Sequence, residues 1–390
     1  MFWEKLSREA IKERVFKALD ANRTYAKDTI LGIPGTYLDT EQFYRDASFL
    51  EVAPYLKTFI NNPNHIGCHT LTGDEGEDLF RGTQKLEIEL IRLVSEEILG
   101  SPPKGVDGYV APGGTEANIQ ALWIYRNYFQ KHYGISADQV GVIFSRDSHY
   151  SFYKAANLMG IRTLVVPTDE DSRRISNSAL KNKLSEARDQ GLKCLVGVAN
   201  MSTTLFGSVD DPDRIADALE EAKFPYQIHV DAAFGGFIYP FTEEGPRLDF
   251  SNPRISSISL DAHKMLMAPY GTGIFLIRKG WMHYTATQEA EYVQGADYTL
   301  VGSRNGAAET NRHCHTLEDL HIPYFREKKM NIVAIQADKV PQHLPQKYRL
   351  VADNFDQPRW WKIVVMPHTT GQVLGAFQDD LRKAYGSGGE

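Results

Sequence analysis

The chain has 390 residues, and its composition excludes several classes of protein. Hydrophobic residues make up 42% and charged residues 24%, with a formal net charge of −7, which is ordinary for a soluble globular protein. Acidic and basic residues are interspersed, which argues against a nucleic-acid partner. The sequence has neither the uninterrupted apolar core of a signal peptide nor an apolar membrane-spanning run, and its 3 cysteines form no CxxC pair. We therefore expect a cytoplasmic protein without a disulfide framework.

The predicted elements begin with an amphipathic helix over residues 4–19, an extended segment rich in Gly and Pro over 33–82, and a helix over 82–99. From residue 108, short β-branched runs alternate with helical stretches, which is typical of βαβ units. Strands are predicted at 108–111, 140–144, 162–166, 194–199, 227–230, 256–259 and 273–277, and helices at 117–128, 177–190 and 213–222. The pattern predicts an α/β fold, a mostly parallel sheet with helices on both faces.

The pattern changes after residue 325, where shorter elements predict a small α+β domain. Its predicted strands are 331–336 and 362–365, and its predicted helices lie near 343–353 and over 371–385. We therefore expect three regions along the chain. They are an N-terminal helix and extended segment (1–78), a large α/β domain (79–306), and a shortened connection with a small C-terminal domain (307–390).

An aspartate and a lysine end two predicted strands that are one βαβ unit apart. Asp231 stands in His-Val-Asp-Ala-Ala-Phe-Gly-Gly-Phe (229–237), and Lys264 ends Ser-Ile-Ser-Leu-Asp-Ala-His-Lys (257–264). Each residue alone has a non-catalytic interpretation, because most lysines are solvated surface charges and most aspartates at strand ends form turns. Together they favour pyridoxal phosphate chemistry, in which a lysine forms the Schiff base and a carboxylate keeps the pyridine nitrogen protonated.

Three other predicted strand ends carry polar groups that suit the same cofactor. A helix is predicted to begin within Ala-Pro-Gly-Gly-Thr-Glu-Ala-Asn (111–118). Its glycines and first amides suit a phosphate group; the alternative is a strand-to-helix turn that Thr115 caps. His149 follows a strand and is placed to stack on a cofactor ring with Ala233 opposite, or to be an ordinary loop histidine. Residues 202–204 are Ser-Thr-Thr and also follow a strand. Their hydroxyls either contact the cofactor or the substrate carboxylate, or only stabilise a turn.

The chain resembles the group II pyridoxal-phosphate-dependent amino acid decarboxylases and is most similar to the archaeal-type tyrosine/aspartate decarboxylases. The matching stretches are LFRGTQKLE (79–87), GGTEANIQA (113–121), HVDAAFGGF (229–237), DAHKM (261–265), YTLVGSRNG (298–306) and IVVMPH (363–368). The resemblance implies a fold-type I architecture with pyridoxal 5'-phosphate. It also implies α-decarboxylation of an L-amino acid such as aspartate, tyrosine or a glutamate-like substrate to the amine and carbon dioxide.

Position by position, the resemblance implies catalytic roles for Lys264, Asp231, His149 and Tyr292. Tyr292 would protonate the substrate carbon, and Tyr284 and Tyr298 are its alternatives. The implied cofactor contacts are Gly114, Thr115, His149, Thr204, Asp231, Ala233, His263, Lys264 and Ser303. Ser303 would reach the phosphate bound by the neighbouring subunit, so the resemblance implies a homodimer with active sites at the subunit interface.

Two features leave alternatives open. The connection over 307–325 is shorter than the family pattern and holds His313, Cys314 and His315, whose spacing suits no metal site. This shortening keeps open an inactive cofactor-fold binding module. The segment 257–264 also looks like that of sphingosine-phosphate lyases, so a C–C lyase is a second alternative. His69 lies where members of the family form the entrance for the substrate. It either contacts the substrate or is a loop residue without a role in binding.

Overall fold

A seven-stranded sheet forms the centre of the larger part of the chain. Its strands are β1 (Val106–Ala111), β2 (Val140–Ser145), β3 (Arg162–Val166), β4 (Cys194–Asn200), β5 (Tyr226–Ala232), β6 (Ile255–Asp261) and β7 (Gly273–Arg278). Their order in space is β1-β7-β6-β5-β4-β2-β3. Strand β7 runs antiparallel to both of its neighbours, and strands β2 to β6 pair in parallel. The predicted mostly parallel sheet is confirmed.

The structure is a computed structural model, and it describes most of the large sheet region and parts of the C-terminal region. The described residues are 6–20, 81–242, 245–268, 270–286, 297–302, 324–325, 332–348, 350–353, 357–364, 376–377, 379–381 and 383–384. No helix in these ranges is long and apolar enough to cross a membrane.

Helices cover both faces of the sheet. They are α1 (Arg8–Asp20), α2 (Arg81–Arg92, continued by a π-helical segment Leu93–Ile98), α3 (Gly114–Tyr133), α4 (Ser151–Met159), α5 (Asn177–Asp189), α6 (Pro212–Glu221) and the single turn α7 (Ala262–Met265). One buried cluster packs α5 and α6 on the sheet, and a second packs α3 and α4. Because the strands alternate their side chains between these two clusters, most of them are buried along their whole length, as parallel sheets require.

Local chemistry explains several helix ends. Asp211 caps α6 by accepting hydrogen bonds from the amides of Asp213 and Arg214, and Pro212 fills the first helical position. Gly134 ends α3 with a φ of 63°, a left-handed conformation that favours glycine. Helix α4 was not predicted from the sequence. Its N-cap residue is Tyr150, which makes no capping hydrogen bond and is not a residue type that marks the start of a helix.

A second sheet lies in the C-terminal part. The elements of this part are β8 (Tyr324–Phe325), β9 (Ile332–Gln336), α8 (His343–Lys347), β10 (Val351–Ala352) and β11 (Trp360–Val364). The four strands pair antiparallel in the order β10-β11-β9-β8. The predicted helix near 343–353 is wrong in its second half, because residues 351–352 pair with β11 instead. The boundaries 1–78, 79–306 and 307–390 stay a prediction.

Candidate active site

A cavity of about 440 Å³ opens at the carboxyl edge of the large sheet, where the loops after β1, β2, β4, β5 and β6 meet. Ligands of parallel α/β sheets bind at this edge. The cavity is lined by eight of the predicted site residues: Gly114, Thr115, His149, Thr204, Asp231, Ala233, His263 and Lys264. The predicted site residues Tyr292 and Ser303 lie outside the described residues, as do His69 and the segment 313–315.

The N-terminus of α3 faces one end of the cavity. Gly113 occupies the cap position, and no side chain of the described residues caps the helix there. The first amides of α3 therefore lack helical partners and suit an anion. A Cβ atom on Gly114 would lie 3.0 Å from both the Ala233 Cβ atom and the Asp261 Oδ2 atom, so glycine permits this close approach. The alternative in which Thr115 caps the turn is wrong, because Thr115 lies inside α3.

Lys264 lies on α7, the single turn that follows β6. Its Nζ atom is 2.8 Å from the Asp261 Oδ2 atom, and the lysine side chain is 34% exposed while that of Asp261 is 3% exposed. The His263 Nε2 atom lies 3.7 Å from the same carboxylate oxygen, and burial lowers the pKa of His263 below its ordinary value. Asp261 had no predicted role, although its spacing of three residues from Lys264 on a helical turn was a signal for this contact.

Asp231, at the end of β5, is held by two donors. Its Oδ1 atom accepts a hydrogen bond from the Ala233 amide (3.1 Å), and its Oδ2 atom accepts one from Asn118 Nδ2 (3.0 Å). Asn118 lies on α3 and is almost completely buried. Both carboxylate oxygens are therefore fixed as acceptors. This arrangement fixes the orientation of the carboxylate.

A buried hydrogen-bond chain continues from Asn118 into the core. The Asn118 Oδ1 atom accepts from His229 Nε2 (2.9 Å), and the His229 Nδ1 atom lies 2.7 Å from Ser257 Oγ. Since the amide oxygen only accepts, His229 carries its proton on Nε2 and accepts from Ser257 on Nδ1. Tyr125 in turn donates to Ser257. We call this series of hydrogen bonds the Asn118 relay (Tyr125, Ser257, His229, Asn118). In each of its hydrogen bonds, and in the one from Asn118 to Asp231, the donor is the residue farther from Asp231 along the series.

His149, after β2, is joined to the same relay. Its Nδ1 atom lies 3.0 Å from Ser151 Oγ, and Ser151 Oγ accepts from Asn118 Nδ2 at 2.9 Å. The Ser151 hydroxyl and amide therefore both donate to His149 Nδ1, which leaves the proton of the neutral ring on Nε2. Burial lowers the pKa of His149 and favours this neutral form. A neutral, oriented imidazole suits packing against a flat ligand.

Replacing His229 with glutamine is expected to weaken the acid sensitivity of the apoprotein. Burial lowers the pKa of His229 to about 3, so between pH 6.5 and 3 the unfolded chain binds a proton that the folded chain does not. The free energy of unfolding then falls with pH by about 1.4 kcal/mol per unit from this group. Glutamine keeps a donor and an acceptor but does not titrate.

Urea unfolding of both proteins at pH 7, 6 and 5 tests this. The wild type should lose about 2 kcal/mol more than the His229→Gln variant between pH 7 and pH 5. Stability curves that run parallel over this range would contradict the assignment of a neutral buried His229.

Comparisons with known proteins agree with this geometry. Residues 83–313 match the pyridoxal-dependent decarboxylase conserved domain. The chain belongs to this family. It is 43% identical to a tryptophan decarboxylase of Clostridium sporogenes, over 98% of this chain and 97% of the relative. It is also 31% identical to a probable L-tyrosine/L-aspartate decarboxylase of Methanosarcina barkeri, over 80% of this chain and 86% of the relative.

The protein is a pyridoxal-phosphate-dependent amino acid decarboxylase, and the predicted family, cofactor and reaction class are confirmed. An L-methionine decarboxylase of Streptomyces shares the fold, with a TM-score of 0.68 at 18% identity over 97% of this chain and 95% of that one. A sphingosine-1-phosphate lyase of Burkholderia pseudomallei gives 0.65 at 18% identity over 99% of this chain and 92% of that one. At such identities the likeness concerns the fold alone, so it does not support the lyase alternative.

The cavity fits pyridoxal phosphate in its donors, its acceptors and its nucleophile. The uncapped start of α3 suits the phosphate, and the carboxylate of Asp231 suits a protonated ring nitrogen. Among the described residues, the buried hydroxyl of Ser202 lacks a hydrogen-bond partner in the protein and lines the cavity. Asp261 lies beside the start of α3, and the ammonium group of Lys264 lies against it and offsets its charge.

Proposed function

We propose that the cavity is the active site and that it decarboxylates an aromatic L-amino acid at the α-carbon, to the amine and carbon dioxide. When bound, pyridoxal phosphate supplies an electron-accepting ring bonded to the substrate nitrogen. Asp231 holds a proton at the ring nitrogen, and the Asn118 relay keeps that carboxylate oriented. The start of α3, Thr115 and His263 hold the phosphate.

Three further groups act around the ring in this proposal. Lys264 binds the cofactor through its Nζ atom and gives it up to the substrate amine, and its partial exposure to the cavity supports this role. His149, Ala233 and Thr204 line the cavity, where His149 and Ala233 would pack on the two faces of the ring and Thr204 would lie near its edge. The site residues Tyr292 and Ser303, outside the described residues, remain predicted as the proton donor and the phosphate contact across subunits.

The alternatives to Tyr292 have other contacts. The hydroxyl of Tyr284 lies 2.7 Å from His132 Nε2, and its ring packs 5.3 Å from that of Tyr128. The carbonyl of Tyr298 accepts hydrogen bonds from Gln120 and Thr285. Neither tyrosine is among the residues that line the cavity in the described part of the chain. Tyr292 stays the predicted residue that protonates the substrate.

The lining of the cavity favours an aromatic substrate over an acidic one. Ile119, Tyr150 and Phe234 offer apolar surface, and the basic side chains of the described lining are Lys264 and two histidines. A carboxylate on the substrate side chain therefore finds no guanidinium partner in the part of the cavity that the structure describes. The chain is more similar to a tryptophan decarboxylase, at 43% identity, than to a probable L-tyrosine/L-aspartate decarboxylase, at 31%, which supports tryptophan.

A panel of L-amino acids tests the substrate class. Carbon dioxide release from tryptophan, tyrosine and phenylalanine should exceed that from aspartate and glutamate by about 100-fold in kcat/KM, because the acids leave a charge unpaired. D-Tryptophan serves as the control for non-enzymatic release. Faster turnover of aspartate or glutamate would refute the aromatic assignment. Borohydride reduction should also attach the cofactor to the peptide that contains Lys264.

We also propose a homodimer and a cytoplasmic location. Tyr150 and Tyr270 line the cavity with 56% and 89% of their surfaces exposed, and a second copy covering the cavity would bury them. Sedimentation of the purified protein at micromolar concentration should show twice the monomer mass of 44.0 kDa. For the location, the support is the low cysteine usage, 3 in 390 residues with no CxxC pair.

A further inference from the structure

Ser202, directly after the bridge residue that follows β4, combines two costly features. Its φ of 82° lies in the left-handed region that favours glycine. Its side chain is 6% exposed, and its Oγ atom has no hydrogen-bond partner among the described residues. A strained residue with a buried, unpaired hydroxyl is unfavourable in the free protein, and such strain concentrates at functional sites.

The surrounding structure fixes this conformation from both sides. The Met201 amide donates to the Asp231 carbonyl at 2.8 Å, and the Gly235 amide donates to the Met201 carbonyl at 3.1 Å. On the other side, the Thr203 amide donates to the Ser208 carbonyl at 2.9 Å. The backbone at position 202 therefore stays in place whatever its side chain.

The neighbouring hydroxyl behaves differently. Thr203 Oγ1 lies 2.8 Å from Ser208 Oγ and is paired within its own loop. Ser202 Oγ has no such partner in the described chain, although Ser202 lines the cavity. The loop therefore satisfies one hydroxyl internally and leaves the other for a ligand.

The sheet order shows which edge of the ligand Ser202 faces. The start of α3 and His263 follow β1 and β6, on one side of β5, and Ser202 follows β4 on the other side. Asp231 stands between them on β5, in register with Asn200 on β4 and Ser259 on β6. A ring with its nitrogen at Asp231 and its phosphate toward β1 and β6 turns the opposite edge to β4. In pyridoxal phosphate that edge carries the phenolic oxygen.

We propose that Ser202 Oγ donates a hydrogen bond to the phenolic oxygen of bound pyridoxal phosphate. The inference rests on the proposed active site and adds a cofactor contact to it. Glycine would adopt this backbone conformation without strain. Serine at this position therefore lowers the stability of the free protein and raises its affinity for pyridoxal phosphate.

Two substitutions separate the strain from the hydroxyl. Ser202→Ala removes the hydroxyl and keeps the strain, whereas Ser202→Gly removes both. Both variants should bind pyridoxal phosphate about tenfold more weakly than the wild type in titrations of the apoprotein followed by absorbance. Ser202→Ala should raise the Tm of the apoprotein slightly, because it removes the buried unpaired hydroxyl, and Ser202→Gly should raise it further, by about 2 °C in all, because it also removes the strain. The 3-deoxy analogue of the cofactor lacks the phenolic oxygen, and all three proteins should bind it equally.

The outcomes distinguish this inference from the function on which it rests. Equal affinity of all three proteins for pyridoxal phosphate would overturn the Ser202 contact while the wild type still binds its cofactor. A raised KM for the amino acid with unchanged cofactor affinity would overturn it in favour of a contact to the substrate carboxylate. A wild type that binds no pyridoxal phosphate would overturn the proposed active site itself, and the inference with it.

Discussion

Replacing Lys264 with alanine is expected to lower turnover by more than about 10³-fold, because no other described residue of the cavity carries a primary amine. The substitution also leaves the carboxylate of Asp261 without the ammonium group 2.8 Å away. Since that carboxylate is 3% exposed, we expect the apoprotein to lose about 2 kcal/mol of stability as well.

Lys264→Arg separates the chemistry from the charge. Arginine keeps a cation beside Asp261, but its guanidinium stays protonated and forms no covalent bond to the cofactor. This variant should be as inactive as Lys264→Ala while keeping more of the stability of the wild type. Lys181→Ala is the matched control, because Lys181 is an exposed lysine on α5, paired with Glu221, and does not line the cavity. Full turnover by Lys264→Arg would refute the covalent role.

The seven main strands could be predicted from the sequence because each is a short apolar run followed by a turn. The strand Arg162–Val166 is observed as predicted, and the others extend one to three residues beyond their predicted ends. The antiparallel direction of β7 could not be predicted, since an apolar run is the same whichever way its strand runs. Helix α4 was missed for a local reason, the absence of a capping side chain at Tyr150.

The site residues that lie at strand ends could be predicted from the sequence. The contacts between site residues that are far apart in the sequence could be predicted less well. Asp231, His149 and Lys264 follow strands, so their convergence at one edge follows from a parallel sheet. The Asn118 relay depends on contacts between residues far apart in sequence, such as Asn118 with His229 and with Ser259. No local pattern marks such partners, although Asn118 and His229 both lie in the matching family stretches.

The relay gives the buried polar residues of the core a common function. His229 and Tyr125 are fully buried, and burial raises the pKa of the Tyr125 hydroxyl while it lowers that of His229. Both groups therefore stay neutral and act only as oriented dipoles. Aligned dipoles in a medium of low dielectric constant stabilise a fixed negative charge without adding a counter-charge that would compete for the cofactor. The core of the protein thus fixes the position of the Asp231 carboxylate.

Asp231→Asn should lower kcat by about 10³-fold, because the ring nitrogen loses the charge that keeps it protonated. Both oxygens of Asp231 accept hydrogen bonds from N–H groups, those of Ala233 and Asn118. The amide of asparagine offers one oxygen only, so one N–H group must face another whichever way the side chain is turned. We therefore expect a loss of stability of about 1–3 kcal/mol in addition.

A cofactor analogue distinguishes the electronic role from this structural effect. In pyridoxal phosphate methylated on its ring nitrogen, the positive charge is permanent and needs no carboxylate to maintain it. Loading Asp231→Ala with this analogue should restore a measurable part of kcat, because the charge is then supplied by the ring itself. Asp189→Asn, an exposed acid at the end of α5, is the control and should match the wild type. An Asp231→Ala variant that responds no better to the methylated cofactor than to the natural one would show that Asp231 acts only in packing.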